Sequence, residues 1–158
     1  MSKRSAGILA WRKVGDDLEV LLVHPGGPFY VKKDAGAWSV PKGEYEETEE
    51  SLAAARREFA EELGIEVDGD FMQLSVIKQK SGKVVQAWAV EMDADLAQFR
   101  SNTFTLEWPP LSGKMKEFPE VDKAEWFPVA IAKEKINAAQ VAFLDELIGL
   151  LKKNEGKL

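Results

Sequence analysis

The sequence predicts an α/β or α+β sandwich, because runs rich in β-formers alternate with segments of helical periodicity. The chain has 158 residues, and a chain of that size buries roughly 70% of its unfolded surface. It contains no internal repeat or low-complexity tract. We therefore expect one domain over residues 1–158, with a core at about 5–152 and a short polar tail at 153–158.

The first half of the chain predicts a hairpin followed by a loop. Ser5–Arg12 and Leu18–His24 are β-rich runs, and the polar turn Gly15–Asp17 joins them. The glycines and prolines of His24–Pro28 cannot continue a central strand. We expect the chain to leave the sheet there and to return at Ala37–Val40.

The second half predicts another hairpin, a short strand and a final helix. Phe71–Lys80 and Val84–Met92 flank the turn Ser81-Gly82, and Lys123–Phe127 reads as a strand that ends at Pro128. The last segment places apolar residues at helical spacing, so it should lay one apolar stripe on the sheet. These residues are Leu144, Leu147, Ile148 and Leu151.

Composition excludes several classes of function. Zero cysteines exclude disulfides, thiolate metal sites and a cysteine nucleophile, and a Ser-His-Asp triad would depend on the single histidine, His24. We expect His24, at a strand end, to be structural or at a pocket rim. A net charge of -6 argues against binding a nucleic-acid polymer. No run of about 18 apolar residues is present, so we expect a cytoplasmic protein without membrane contact.

A glutamate-rich segment between residues 43 and 65 predicts a helix with two faces. Thr48 is a plausible N-cap, with Glu49 and Glu50 in the first turn, and Gly64 suits the helix end. At about 100° per residue, the apolar side chains share one face and three carboxylates share another. The apolar set is Leu52, Phe59 and Leu63, and the acidic set is Glu58, Glu61 and Glu62.

The three carboxylates repel one another, so some positive charge should compensate. Arg56 and Arg57 can offset part of the repulsion. Three hard oxygen donors on one face are also what Mg²⁺ or Mn²⁺ would bridge. On composition alone, a solvated surface helix is the favoured explanation of the segment, because glutamate is a strong helix former.

The order of residues favours the metal. Gly43 is followed after five residues by Glu49, and after seven more by Arg57-Glu58 and the apolar Phe59. One residue later come Glu61-Glu62, and after one more Gly64-Ile65. This order resembles the Nudix box at every specified position. Trp38–Lys42 and Glu125–Pro128 also look like parts of Nudix domains, so the resemblance spans most of the chain.

The resemblance implies a mixed β-sheet sandwiched between α-helices, and hydrolysis of a nucleoside diphosphate linked to another group with Mg²⁺ or Mn²⁺. By position, the ion would be held by the carboxylates of Glu58, Glu61 and Glu62 and by the carbonyl of Gly43. Arg57 would orient the acids, because a guanidinium fork fixes carboxylate directions, and Glu49 is its expected partner.

The identity of the general base stays open at this point. Glu58 is the first choice, and Glu117 or Glu120 in a later loop are alternatives, although a plain solvated loop explains those two equally well. Lys42 is placed to reach a phosphate. The candidate catalytic residues are therefore Lys42, Arg57, Glu58, Glu61 and Glu62.

The stretch Trp38–Gly43 resembles Nudix enzymes that act on dinucleoside polyphosphates such as diadenosine tetraphosphate. Many of those carry a tyrosine some sixteen residues beyond the box, where this chain has Lys80 and Ser81. No proline of the kind that marks ADP-ribose enzymes occurs there either. A base would need an aromatic platform. Phe29, Tyr30 and Trp108 are candidates, and we favour Trp108 because two prolines follow it.

The leading hypothesis is therefore a metal-dependent pyrophosphohydrolase of a small nucleotide, most consistent with a dinucleoside polyphosphate. A nucleoside triphosphate, a nucleotide sugar or ADP-ribose is the alternative substrate. A Nudix-fold module that binds nucleotides without turnover is the alternative from another class, and the intact acid set counts against it. Nothing in the sequence predicts the oligomeric state.

Overall fold

A mixed sheet built around the first strand forms the centre of the computed structural model, which describes residues 4–155. β1 (Arg4–Val14) and β2 (Asp17–Pro25) form the predicted antiparallel hairpin. The remaining strands of this sheet are β3 (Lys42–Glu44), β4 (Met72–Gln73), β5 (Ile77–Lys78), β6 (Val84–Glu91) and β9 (Val121–Pro128). The sheet order is β4-β6-β1-β2-β9, in which the short strand β3 pairs with β1 and the short strand β5 pairs with β6.

Three α-helices in the described residues cover the two faces of this sheet. They are α1 (Ser51–Leu63), α2 (Val129–Lys135) and α3 (Val141–Glu155). Alternation along β1 sends Ile8 into the core under α1 and Leu9 into the core under α3, as the two-residue period of a strand requires. The parallel pairing of β1 with β6, beside the antiparallel pairs, makes the sheet mixed. The α+β sandwich expected from the resemblance is therefore confirmed.

The two predicted helix faces of α1 are observed, but its predicted start was wrong. The helix begins at Ser51 with Glu50 as N-cap, and no side chain caps it. Thr48 lies outside the helix. Glu49 also precedes the helix, and its carboxylate accepts two hydrogen bonds from Arg57. The predicted end is confirmed, because Gly64 takes the left-handed conformation (φ 69°) and donates to the Ala60 carbonyl.

Two predicted strands are shorter than expected. Phe71–Lys80 is not one strand, because the backbone amide of Ser75 donates to the Glu146 carboxylate of α3 and separates β4 from β5. Ala37–Val40 returns to the sheet as predicted, but only Ser39 pairs with β2, through an isolated bridge to Val23.

The structure adds elements that were not predicted. A separate hairpin of β7 (Thr103–Glu107) and β8 (Met115–Pro119) lies between β6 and β9 in the chain, and α2 follows β9. The predicted strand Lys123–Phe127 is observed, and it is part of the longer strand β9 (Val121–Pro128). The predicted end of the core at 152 falls inside α3, which continues to Glu155. Residues 1–3 and 156–158, the latter part of the predicted tail, lie outside the described residues. No helix described here is long and apolar enough to span a membrane.

Candidate active site

Arg57 stands at the centre of the acid face of α1. Its Nε and Nη2 atoms each donate to one carboxylate oxygen of Glu49 at 2.9 Å. Its Nη1 donates to Glu58 at 2.8 Å and lies 3.4 Å from Glu61. The bond with Arg57 lowers the pKa of Glu49, and the carboxylates of Glu49 and Glu58 raise the pKa of Arg57. One guanidinium fork thus fixes the directions of three carboxylates, as a planar five-donor group can.

Glu62 and Lys42 form the inner part of the site. The backbone amide of Lys42 donates to Glu62 Oε2 at 3.0 Å. Burial, together with the nearby charge of Glu58, raises the pKa of Glu62 to about 8. Burial also lowers the pKa of Lys42, and the charge of Lys83 lowers it further. Each group is thus pushed toward its neutral form by lost hydration, the usual result of burying charges without full compensation.

Gly43 brings β3 and α1 together at this point. A Cβ atom added to Gly43 would overlap the carboxylate of Glu58. The absence of a side chain therefore makes room for Glu58 beside the backbone of residue 43. Burial raises the pKa of Glu58 as well. The structure thus brings Gly43, Glu58 and Glu62 into one neighbourhood, as the resemblance to the Nudix box implied.

Of the three acids on α1, Glu62 lines a cleft of about 300 Å³. Its lining combines two lysines, two glutamates and several amides with one tyrosine, a set suited to an anionic and partly aromatic ligand. The polar members are Lys42, Glu62, Gln79, Lys83, Glu120, Asn137 and Gln140, and the tyrosine is Tyr30. A larger cavity of about 600 Å³, lined by Trp11 and Met72 among others, contains none of the acids of α1.

The two loop glutamates lie in different places. Glu120, between β8 and β9, lines the cleft. Burial raises its pKa, and the charge of Glu61 adds to the effect. Glu117 lies in β8, opposite Thr105, where it is exposed and does not line the cleft. The expectation that both glutamates sit in one loop was wrong, and only Glu120 faces the other acids.

The aromatic candidates also divide. Tyr30 lines the cleft, whereas Phe29 and Trp108 do not. Those two rings meet edge to face, with centroids 5.4 Å apart. Trp108 lies in the turn between β7 and β8, so its predicted position outside the sheet core is correct. It is half-buried, and its contact with Phe29 places it beside the loop that carries Tyr30.

Several cleft residues were not identified from the sequence. Lys83 follows the Ser81-Gly82 turn, which was recognised as a turn but not as a carrier of cleft residues. Gln140 is buried, and its Oε1 accepts from the Val40 amide at 3.0 Å while its Nε2 donates to Gln79 at 3.1 Å. No local sequence signal marks Gln140, because its hydrogen bond with Val40 joins residues that are 100 positions apart along the chain. Arg56 was expected to compensate the acids, but it donates to the Val67 carbonyl instead.

Within residues 4–155, no three side chains of His, Cys, Asp or Glu stand close enough to hold a metal ion as placed. Glu58 and Glu61 bond to Arg57, whereas Glu62 bonds to the Lys42 amide. The donor set nevertheless fits a hard divalent ion. It consists of carboxylates. Burial, together with the nearby charge of Glu58, raises the pKa of Glu62, and a bound cation would favour its charged form.

His24 lies apart from the acids. It is buried at 2% exposure, with Nδ1 2.7 Å from Asp122 Oδ1 and Nε2 2.6 Å from the Lys33 carbonyl oxygen. Its ring meets Trp38 edge to face at 5.2 Å. This buried placement agrees with the first of the two expectations, a structural residue.

The mixed sheet between helices and the acid helix beside the cleft define the class of domain, and comparison with known proteins gives the family. The chain belongs to the Nudix family, because the model of the NUDIX domain matches residues 1–147. Members of this family are hydrolases of phosphorus-containing anhydrides. No curated protein matches the chain.

Solved structures show the same fold at low identity. An Ap4A hydrolase from C. elegans, in a binary complex, is 19% identical with a TM-score of 0.67, covering 94% of this chain and 98% of its own. The NUDIX domain of Shewanella oneidensis NrtR, complexed with ADP ribose, is 18% identical with a TM-score of 0.64, covering 96% and 89%. A mutT/nudix family protein from Listeria innocua is 15% identical with a TM-score of 0.65, covering 99% and 98%. At these identities the likeness establishes the fold.

Proposed function

We propose that this protein is a divalent-metal-dependent pyrophosphohydrolase whose substrate is a dinucleoside polyphosphate such as diadenosine tetraphosphate. The observation that carries the proposal is that Lys42 and Lys83 line the same cleft as Glu62 and Glu120. Ammonium groups suit the oxygens of a phosphate chain. Carboxylates in the same cleft suit a cation that bridges protein and phosphate.

The residues that would hold Mg²⁺ or Mn²⁺ are Glu58, Glu61 and Glu62, with the carbonyl of Gly43. When bound, the ion would supply Lewis-acid polarisation and charge neutralisation at the phosphates. Arg57 positions Glu58 and Glu61 and is fastened in turn by Glu49. The space that Gly43 leaves for the Glu58 carboxylate supports a common role for these two residues.

The reaction is the addition of water across a phosphoanhydride. The water oxygen forms a bond to phosphorus, the bridging P–O bond breaks with its electron pair left on the oxygen of the leaving phosphate, and one proton of the water passes to a carboxylate. Glu58 and Glu120 are the two candidates for that carboxylate, because burial raises the pKa of each toward the range useful to a base. The ammonium group of Lys42 binds a phosphate oxygen during this step.

Substrate choice is supported by the outer part of the cleft. Tyr30 offers a ring for one base at the cleft wall, and stacking contributes about 1 to 3 kcal/mol per base. Lys83 offers a second cation beyond Lys42, which suits a phosphate chain longer than two. A nucleoside triphosphate, a nucleotide sugar or ADP-ribose would use the same cleft and is the alternative substrate class.

A module that binds nucleotides without turnover is the alternative from a different class. It would have no need for the complete arrangement of Arg57 with Glu49, Glu58 and Glu61. We therefore favour the enzyme.

The test is a panel of dinucleoside polyphosphates, nucleoside triphosphates, ADP-ribose and nucleotide sugars with Mg²⁺, with products resolved by chromatography. The proposal predicts that diadenosine tetraphosphate has the largest kcat/KM of the panel. Faster turnover of a triphosphate or of ADP-ribose would reassign the substrate. Tight binding with no product from any member would favour the binding module.

A further inference from the structure

The single histidine joins two chain segments that form different walls of the cleft. Lys33, whose carbonyl oxygen contacts His24 Nε2, belongs to the loop 26–37. This loop contributes Tyr30, Gly36 and Ala37 to the cleft lining. Asp122, which contacts His24 Nδ1, follows two residues after Glu120 on the other wall.

The proton on one side of the ring is fixed by chemistry. A carbonyl oxygen can only accept, so the 2.6 Å contact with Lys33 requires a hydrogen on Nε2. The contact of Nδ1 with Asp122 Oδ1 at 2.7 Å and the edge of Trp38 then hold the plane of the ring. His24 therefore acts as a rigid brace, because its two bonds leave opposite sides of one aromatic ring.

Besides His24, the loop 26–37 is held by backbone bonds at its ends and by some side-chain contacts. Three consecutive large side chains at its tip are exposed, with Phe29 at 60%, Tyr30 at 41% and Val31 at 63%, so burial does not fix them. Its ends are held by the Gly26 amide on the Glu120 carbonyl and by the Gly36 amide on the Glu134 carbonyl.

Beyond the ring contact of Phe29 with Trp108, hydrogen bonds to surrounding side chains anchor the middle of the loop at two points. One is His24 on the Lys33 carbonyl. The other is the carboxylate of Asp34, which accepts from Trp38 Nε1 at 2.8 Å and pairs with Lys135. Of these two, only His24 connects the loop directly to the segment that carries Glu120.

We infer that His24 is a positioning residue, which fixes the cleft wall bearing Tyr30 relative to the wall bearing Glu120. The inference rests on the proposed function only insofar as the cleft is the substrate site. It assigns to His24 no contact with substrate and no proton transfer.

Two isosteric variants separate the two bonds of the ring. In His24→Gln the amide nitrogen reaches the place of Nε2 and can still donate to the Lys33 carbonyl. In His24→Asn the amide nitrogen stands in the place of Nδ1 and reaches only Asp122. The loop should therefore be released in His24→Asn and retained in His24→Gln.

The first readout is independent of any substrate. Limited digestion with trypsin, mapped by mass spectrometry, follows cleavage after Lys32 or Lys33 in the loop. Loss of one buried hydrogen bond should speed this cleavage about five-fold in His24→Asn, with His24→Gln close to the native protein. Equal cleavage of all three proteins, or fast cleavage of His24→Gln, would overturn the brace.

A core variant away from the loop controls for general destabilisation. Val90→Ala truncates a buried side chain of β6 under α1 and should leave loop cleavage unchanged at a temperature well below its Tm. Should His24→Asn fail to fold, Asp122→Ala takes its place. It frees the ring on one side and should speed cleavage at least about two-fold. No acceleration in that variant would count against the brace.

The second readout links the brace to the cleft. On the best substrate of the panel, His24→Asn should raise KM about five-fold with kcat within about two-fold, and His24→Gln should restore KM. Faster cleavage without a change in KM would refute the link to the cleft, and a fall in kcat alone would refute a positioning role. If no panel member is turned over, the proposed function fails, but the digestion still decides whether the brace exists.

Discussion

Replacing Glu62 by Gln should stabilise the metal-free protein at alkaline pH while removing its activity. Burial raises the pKa of Glu62 from its ordinary 4.5 to about 8. A group with a raised folded-state pKa contributes stability that is fully present below its unfolded pKa of about 4.5 and is lost as the pH rises through about 8. The native protein should therefore lose stability between these limits when no divalent ion is bound.

The size of the effect follows from the same values. A rise from 4.5 to about 8 corresponds to at most about 5 kcal/mol, at about 1.4 kcal/mol for each factor of ten. Gln at position 62 has no ionisable proton, so that loss is absent in the variant. For a domain of this size, each kcal/mol moves Tm by about 2 to 4 °C. At pH 8.5 we expect the Tm of Glu62→Gln to exceed the native Tm by at least about 2 to 4 °C, the shift that corresponds to one kcal/mol.

The assay is thermal unfolding of both proteins in chelator between pH 5 and pH 8.5, with Glu66→Gln as a control at an exposed glutamate. The difference between variant and native protein should grow with pH and should be absent for Glu66→Gln. Added Mg²⁺ should raise the Tm of the native protein and leave Glu62→Gln unchanged, because an ion stabilises only the state that binds it. A constant difference across this pH range would refute the reasoning.

Three further predictions concern Arg57, the two later glutamates and the aromatic candidates. Arg57→Lys should lower kcat at least about ten-fold despite keeping the charge, since an ammonium cannot hold several carboxylate directions, and a normal kcat would show that charge alone suffices. Glu120→Gln should lower kcat and change its pH profile, whereas Glu117→Gln, exposed and outside the cleft, should match the native enzyme. Equal effects would remove Glu120 from the site. Trp108→Ala should raise KM several-fold with little change in Tm if the ring stacks on a base worth about 1 to 3 kcal/mol, and Tyr30→Ala should do so more strongly because Tyr30 lines the cleft. A large fall in Tm with KM unchanged would make Trp108 structural.

The parts of the fold that depend on local pattern could be predicted from the sequence. The β1–β2 hairpin follows from two β-rich runs around Gly15–Asp17, and the end of α1 follows from Gly64. The start of α1 could not be predicted from propensity, because Glu49 meets a stronger partner in Arg57 than the helix end offers. Tertiary contacts also decided the break between β4 and β5, where the Ser75 amide turns to Glu146.

The candidate site shows the same division. The glutamates and Gly43 are close in sequence, so one helix and one strand bring them together. Lys83, Gln140 and Glu120 come from segments distant along the chain, and no local spacing marks them as members of one cleft. His24 could be expected to be structural from its strand end, but its bonds to Lys33 and Asp122 depend on the path of the loop 26–37 and on the pairing of β2 with β9, which no local pattern encodes.

The most direct test of the central claim, that the acid face of α1 is a catalytic metal site, is the rate of Mg²⁺-dependent hydrolysis by the native protein and by Glu62→Gln. The substrate is the best member of the panel, and unfolding curves confirm that both proteins are folded. An amide keeps the shape of Glu62 but loses the charge, so we expect less than about a tenth of native kcat, a rise of more than about 1.4 kcal/mol in barrier. Retention of more than a tenth, or native turnover that continues at full rate in chelator, would contradict the account.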